Sequence, residues 1–168
     1  MTRKRNGVLG ILLLLCFCLA ACGGQTGGQE DGKKHATLSV TCEEALKSEL
    51  LTDALREELP EDGMLFASQT VSVSEGETVL ELLQQEMQGK NIALDMGDGY
   101  VKGIGSLREG ACGTTSGWLF RVNGEMPSVG AGDCVVQEGD QIEWFYICDM
   151  NAFFEASTVP ATSSAAAA

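Results

Sequence analysis

The chain has 168 residues and a formal net charge of −13 at pH 7, from 11 basic and 24 acidic side chains. Such an acidic chain lacks the basic face that nucleic-acid binding requires, and it does not adhere electrostatically to an anionic membrane. The carboxylates are scattered, without the Asp-x-Asp-x-Asp-Gly spacing of a calcium loop, so the charge favours solubility over a metal site.

The N-terminus has the parts of a secretory signal peptide. Arg3, Lys4 and Arg5 form a positive head, and the apolar run Val8–Ala21 follows. This run is shorter than the roughly 20 residues of a membrane-spanning helix, so residues 1–21 are predicted to be a cleaved signal. Removing its three positive charges and no acids takes the net charge from −13 to −16.

The end of the signal resembles a bacterial lipobox, Leu19-Ala20-Ala21-Cys22, followed by Gly23-Gly24. The resemblance implies that Cys22 takes a diacylglyceryl group and becomes the mature N-terminus. Two or more acyl chains, such as palmitate, hold a protein stably at a bilayer. We therefore expect a lipoprotein anchored at the extracytoplasmic face of a bacterial cell membrane. The alternative is an ordinary signal peptide with a chance cysteine.

Two segments of biased composition flank the predicted domain. Residues 22–35 are rich in Gly and polar side chains without apolar periodicity, which predicts a flexible tether. Residues 151–168 end in small side chains with little to bury, which predicts a disordered tail. The domain is expected over residues 36–150, long enough for one core.

The first predicted elements are a strand over Ala36–Cys42, a helical segment over 43–59 that is broken near Thr52-Asp53, and a strand over Thr70–Ser74. The main helix follows. Thr78 and Glu81 form a capping box, and Gly89 ends the helix. Its predicted apolar side consists of Val79, Leu80, Leu83 and Met87.

The second half of the domain is predicted to contain hairpins. Ile92–Met96 and Tyr100–Ile104 flank a Gly-Asp-Gly turn, and Trp118–Val122 runs into Asn123-Gly124, whose two residues suit a type I′ turn. Ile142–Cys148 alternates as a last strand. About six strands with one or two helices predict an α+β domain.

Four cysteines follow Cys22. An even set in a small exported domain predicts two disulfides, and four cysteines allow three pairings that the sequence alone does not separate. Cys42 and Cys148 end the first and last strands, and Cys112 and Cys134 bracket the hairpin, which favours the pairs Cys42–Cys148 and Cys112–Cys134.

Catalysis and metal binding lack a sequence signature. The chain has no C-x-x-C pair, and its single histidine, His35, lies in the predicted tether. Zinc ligation and a Cys–His nucleophile are therefore both disfavoured. Without a Gly-x-Ser-x-Gly elbow, nothing marks a serine nucleophile either. We expect a protein that is not an enzyme and holds no metal.

Three motifs that follow the capped helix in the sequence resemble those of a known family. They are Gly117-Trp118, Val122-Asn123-Gly124, and Glu138-Gly139-Asp140 before Ile142-Glu143-Trp144. In this order they are similar to the transcobalamin C-terminal-like domain, known in bacteria as DUF4430, over about Ala36–Asp149. The resemblance implies a β-grasp-like mixed sheet packed on one main helix and stapled by disulfides. It also favours the pairing given above.

The resemblance further implies a function. In vertebrate carriers of vitamin B12, the similar domain covers one face of a cobalamin bound against a helical domain, for which this chain has no room. The contacts would fall here on Trp118, Phe120, Asn123, Pro127 and Gly130. The expected function is binding of a small molecule, such as cobalamin or another corrinoid. The alternatives are that Trp118 and Phe120 are core residues and Asn123 only a turn residue, and that the protein is a surface interaction or display module without a small-molecule ligand.

The lipobox yields a direct test. Cys22→Ser, expressed in a lipoprotein-processing bacterium, is expected to lose incorporation of radiolabelled palmitate, because the acceptor thiol is gone. The matched control, Cys18→Ser, changes a cysteine inside the predicted signal and should keep full labelling. Palmitate on the Cys22→Ser protein would contradict the assignment.

Overall fold

The computed structural model describes residues 33–158. The predicted signal peptide, Cys22, the first part of the tether and the end of the tail lie outside the described residues. Among residues 33–158, none of the helices has the length and apolar character needed to cross a membrane.

The described residues form strands and helices in an α+β arrangement, which confirms the predicted class. In chain order they are β1 (Lys34–Thr41), α1 (Glu43–Lys47), α2 (Asp53–Glu58), β2 (Met64–Val73), α3 (Val79–Gly89), β3 (Leu94–Gly97), β4 (Tyr100–Ile104), β5 (Leu107–Arg108), β6 (Gly117–Val122), β7 (Gln141–Ile147) and α4 (Met150–Thr158).

The main sheet is mixed and has the strand order β2-β1-β7-β6. β1 pairs antiparallel with β2 and parallel with β7, with Leu38 opposite Ile142 and Val40 opposite Trp144. β6 and β7 are antiparallel. A second sheet contains β3, β4 and β5 in chain order. The mixed sheet agrees with the prediction, whereas the β-grasp assignment stays a prediction.

The core follows from side-chain periodicity. Alternate residues of β1 are buried together with Ile142, Trp144 and Tyr146 of β7, and α3 buries side chains at helical spacing against the same cluster. The capping box is present: Glu81 accepts from the Thr78 amide at 2.9 Å, and this bond lowers the pKa of the Glu81 carboxyl. Leu82 is buried and Leu80 half-buried, so the apolar side of α3 is rotated slightly from the prediction. The buried residues of α3 are Val79, Leu82, Leu83 and Met87.

Tyr146 joins the two sheets. Its ring is buried, and its hydroxyl donates to the Arg108 carbonyl at 2.8 Å and accepts from the Ala111 amide at 3.2 Å. The same oxygen lies 2.8 Å from the Ser116 hydroxyl. Burial raises the pKa of this phenol, so it stays protonated and able to donate. One residue of β7 thereby holds β5 and the loop before β6.

The structure differs from the sequence prediction at both ends of the domain. β1 begins at Lys34, inside the predicted tether, and α4 forms where the disordered tail was predicted to begin. Asp149 caps α4, and Phe153 packs on Phe145 of β7 with ring centroids 5.8 Å apart. The prediction missed this contact because the aromatic partner lies on a strand of the sheet.

The predicted helical segment after β1 is two short helices. Thr52 caps α2 by accepting from the Leu55 amide, which agrees with the predicted break. Arg56 donates to the carbonyls of Leu46 and Ser48 and stabilises the turn between α1 and α2.

The predicted disulfide staple is not confirmed. Cys42, Cys112, Cys134 and Cys148 are all free thiols in the structure.

Gly63 provides a test of the packing at the start of β2. Its φ is +70°, and a Cβ there would lie 2.8 Å from the Glu43 Cα. Gly76 has φ +76° with no atom within 4 Å of that position, so it is a matched control. Gly76→Ala should cost about 1–2 kcal/mol of unfolding free energy from conformation alone. Gly63→Ala should cost about 1–3 kcal/mol more, from the backbone clash. Urea unfolding measures both, and equal costs would contradict the predicted contact.

Candidate ligand-binding edge

The loop between β6 and β7, residues 125–135, is held at both ends. At its start, Asn123 and Gly124 adopt φ of 54° and 82°, as the Asn-Gly turn requires. The side-chain Nδ2 of Asn123 donates to the Asp140 carboxylate at 2.8 Å. The side-chain oxygen of Asn123 accepts from the backbone amide of Gln141 at 2.9 Å. Asn123 is therefore a turn residue that ties the hairpin to β7.

The far end of the loop is bound to the start of α3. The Leu80 amide donates to the Ala131 carbonyl at 3.0 Å, and the Val79 amide donates to the Cys134 carbonyl at 2.8 Å. Backbone amides in the first turn of a helix have no acceptor within the helix, and the loop carbonyls supply one here. The loop is thus preorganised by the helix that the capping box defines.

Between these fixed ends the loop exposes apolar side chains. Met126 is 40% exposed, Val129 48% and Val135 44%. Leu80 of α3 is half-buried and lies 3.8 Å from where a Cβ on Gly132 would be. We call Leu80, Met126, Val129 and Val135 the apolar edge. Contact between these side chains and a ligand would release water from apolar surface.

The residues predicted to contact a ligand range from buried to exposed in the structure. Trp118 is 6% exposed, and its Nε1 donates to the Leu107 carbonyl at 3.0 Å. It is a core residue that packs edge-to-face on Tyr146, with centroids 5.2 Å apart. Phe120 and Pro127 are half-buried and Gly130 is exposed, so these three retain accessible surface. Trp118 is thus part of the core and Asn123 part of the turn, and ligand contact at either residue stays a prediction.

Trp144 is a feature that sequence reasoning did not single out. Its ring stacks on Phe120 with centroids 5.2 Å apart, beneath the strand that enters the loop. Its Nε1–H is buried without an acceptor in the part of the chain that the structure describes. An unpaired buried donor is costly, so this group marks a place where an acceptor would be stabilising. The sequence places Trp144 in an alternating strand, but only the structure shows its missing partner.

The opposite face of the main sheet carries a polar groove. It has a cavity volume of about 400 Å³. Arg121 makes two 2.9 Å hydrogen bonds to Glu143 and lies 4.7 Å from the centre of the Phe145 ring. The Arg121 charge is thus already paired, and the groove does not attract an anion strongly. This cross-strand pair depends on the register of β6 and β7, which the sequence alone does not specify.

Two further features of the described residues concern metal binding and thiol reactivity. Among residues 33–158, no group of three or more His, Cys, Asp or Glu side chains is placed to hold a metal ion. Burial raises the pKa of the Cys42 thiol to about 11 and that of the Cys148 thiol to about 12. Such thiols are protonated at neutral pH and are poor nucleophiles.

Comparison with known proteins gives one family match. Residues 76–147 match the family described as Domain of unknown function (DUF4430), which confirms the sequence resemblance over that segment. No curated protein matches the chain.

Similar solved structures include the following two. Haptocorrin in complex with Cbi shares 17% identity with a TM-score of 0.47, over 70% of this chain and 26% of haptocorrin. A proposed metal-binding protein from Ruminococcus gnavus ATCC 29149 shares 14% identity with a TM-score of 0.39, over 68% of this chain and 96% of that one. The chain thus spans about a quarter of the length of haptocorrin.

The two buried tryptophans provide a matched pair of variants. Trp118→Phe should leave the Leu107 carbonyl without its donor, whereas Trp144→Phe removes an N–H that has no partner. Both lose similar packing volume, so Trp118→Phe should be more destabilising by about 1–3 kcal/mol. Urea unfolding followed by far-UV circular dichroism measures the difference. A larger loss for Trp144→Phe would show that its N–H has a partner.

Proposed function

We propose that this protein, in which residues 76–147 form a DUF4430 domain, is a lipid-anchored module that binds a small molecule outside the cell membrane. The ligand we favour is a corrinoid such as cobalamin, and the role is binding and not catalysis. The observation that carries the proposal is the apolar edge, whose loop is fixed at both ends by hydrogen bonds. A preorganised apolar surface loses little conformational entropy on binding.

The exposure of the edge favours a ligand that is contacted on one face. Met126, Val129 and Val135 are each at least 40% exposed, so they would cover one face of a molecule and leave the other free. This agrees with the implication of the sequence resemblance, in which a second domain covers the opposite face. Here a partner protein would supply that second surface, or the ligand would be held more weakly.

The charge near the edge limits the ligand further. Glu75, Glu77 and Glu81 line a depression at the start of α3, next to the point where the loop is attached. Their combined field disfavours an anionic ligand. A neutral ligand with apolar surface and amide donors, as a corrinoid has, is compatible with this surface.

The second candidate function is a surface interaction module without a small-molecule ligand. It is favoured by β2, which lies at the edge of the main sheet with residues 67–70 exposed. An open edge strand can pair with a strand of a partner protein. This function predicts a co-purifying protein and no heat with corrinoids.

Calorimetric titration of the mature chain carrying Cys22→Ser with cyanocobalamin tests the first function. Saturable heat is expected, and the double variant Met126→Ser/Val129→Ser should bind about tenfold more weakly. The reason is that two apolar contacts worth together about 1–2 kcal/mol are lost. Leu50→Ser is the control, because Leu50 is 68% exposed but lies beyond the other end of β6, beside Gly113.

The outcomes separate the two functions. No heat and no absorbance change at millimolar cyanocobalamin would contradict corrinoid binding by this chain. Equal weakening by Leu50→Ser would contradict the location at the apolar edge.

A further inference from the structure

We propose that Cys112 and Cys148 form a disulfide that links the loop before β6 to the end of β7. This pairing differs from both pairs that the sequence favours. It rests on strand register and on the fold of a tight loop.

The register of β6 and β7 places Cys148 beside the start of β6. Gly117 pairs with Ile147, so the next residues outward, Ser116 and Cys148, continue the antiparallel pair. The Met150 amide donates to the Thr115 carbonyl at 3.1 Å, which keeps the two chains together beyond the strands. The position of Cys148 is therefore set by backbone pairing on both sides of it.

The loop before β6 turns back and brings Cys112 to the same place. The Ser116 amide donates to the Gly113 carbonyl at 3.0 Å, and the Cys112 amide donates to the Ser116 hydroxyl at 3.0 Å. Cys112 is buried, and the hydrogen bond from its amide to Ser116 holds it next to the residue that continues the pairing opposite Cys148. The two cysteines therefore come to the same end of β6, and burial together with the Cys112 thiol raises the pKa of Cys148.

Cys134 lies at the other end of β6 and cannot reach Cys112. Its carbonyl is bound to the start of α3, and Asp140, which bonds Asn123 after β6, acts on its thiol. β6 has six residues, so the two ends of the strand are about 20 Å apart. A disulfide requires Cα atoms within about 4.4–6.8 Å of each other.

Cys42 is a less suitable partner for Cys148. It is buried at the end of β1, where its amide donates to the Gly63 carbonyl at 2.7 Å and its carbonyl accepts from the Leu46 amide. Cys112 acts on it electrostatically, so it is the third thiol of this region. Cys148 also bonds the segment after Cys42, since its amide donates to the Glu44 carboxylate at 3.1 Å and its thiol to the Glu44 carbonyl at 3.7 Å. We favour Cys112 because the β6–β7 register and the hydrogen bond from Cys112 to Ser116 place it beside Cys148.

The chemistry requires an oxidant. Formation of the sulfur–sulfur bond removes two protons and two electrons from the two thiols. The oxidant is the disulfide of a thiol–disulfide oxidoreductase or of a small disulfide compound, which is reduced to two thiols. Because Cys112 and Cys148 are shielded by burial or by each other, exchange is fastest while the chain is still folding.

Refolding with peptide mapping tests the pairing. The mature chain carrying Cys22→Ser is reduced, denatured and refolded with oxidised and reduced glutathione, and free thiols are then alkylated. Trypsin alone leaves Cys134 and Cys148 in one peptide, because no Lys or Arg follows Arg121. Additional cleavage at Glu138 and Glu143 separates them. The expected product is one cross-link between peptides containing Cys112 and Cys148.

The variants make the test specific. Cys112→Ser and Cys148→Ser should each abolish the cross-link, whereas Cys134→Ser should leave it in place. Reduction of the wild-type cross-link should also lower the melting temperature, because a closed loop is opened. Four alkylated thiols, or a link from Cys134 to Cys112 or from Cys42 to Cys148, would overturn the proposal. Mapping of the wild-type chain decides the matter even if a variant does not fold.

Discussion

The parallel pairing of β1 with β7 is the constraint on which the rest of the structure depends. These strands come from the two ends of the domain and lie at the centre of the main sheet, with β2 and β6 outside them. Hydrogen bonds extend the pairing beyond the ladder, from the Gly139 amide to His35 and from the Thr37 amide to Asp140. The chain between them first adds β2 beside β1, then forms α3 and the second sheet, and finally adds β6 beside β7.

The inward face of β7 makes buried contacts and hydrogen bonds with several other segments. Ile142, Trp144 and Tyr146 are buried there, and the Tyr146 hydroxyl satisfies groups from three points of the neighbouring chain. A buried polar hub of this kind specifies one arrangement, because any other would leave its partners without hydrogen bonds. The second sheet is therefore attached to the main one at a defined place.

The β6–β7 hairpin has a pair of cysteines at one end and the apolar edge at the other. Its base holds the thiols of Cys112 and Cys148 beside the start of β6, and its tip holds the loop of the apolar edge. About 20 Å of paired strand lies between them. Cross-linking at the base would restrict the hairpin without occupying the apolar edge.

Local hydrogen bonding explains what the sequence by itself determined. The Thr78–Glu81 capping box, the Asn123-Gly124 turn and the alternation in β1 and β7 involve residues a few positions apart, so the pattern of side chains is sufficient. The tertiary structure alone decided that Trp118 bonds Leu107 inside the core, that α4 packs on Phe145 and that Cys148 bonds Glu44. These contacts depend on register and burial between distant segments, where many pairings satisfy the same sequence pattern and only the packed sheet selects one.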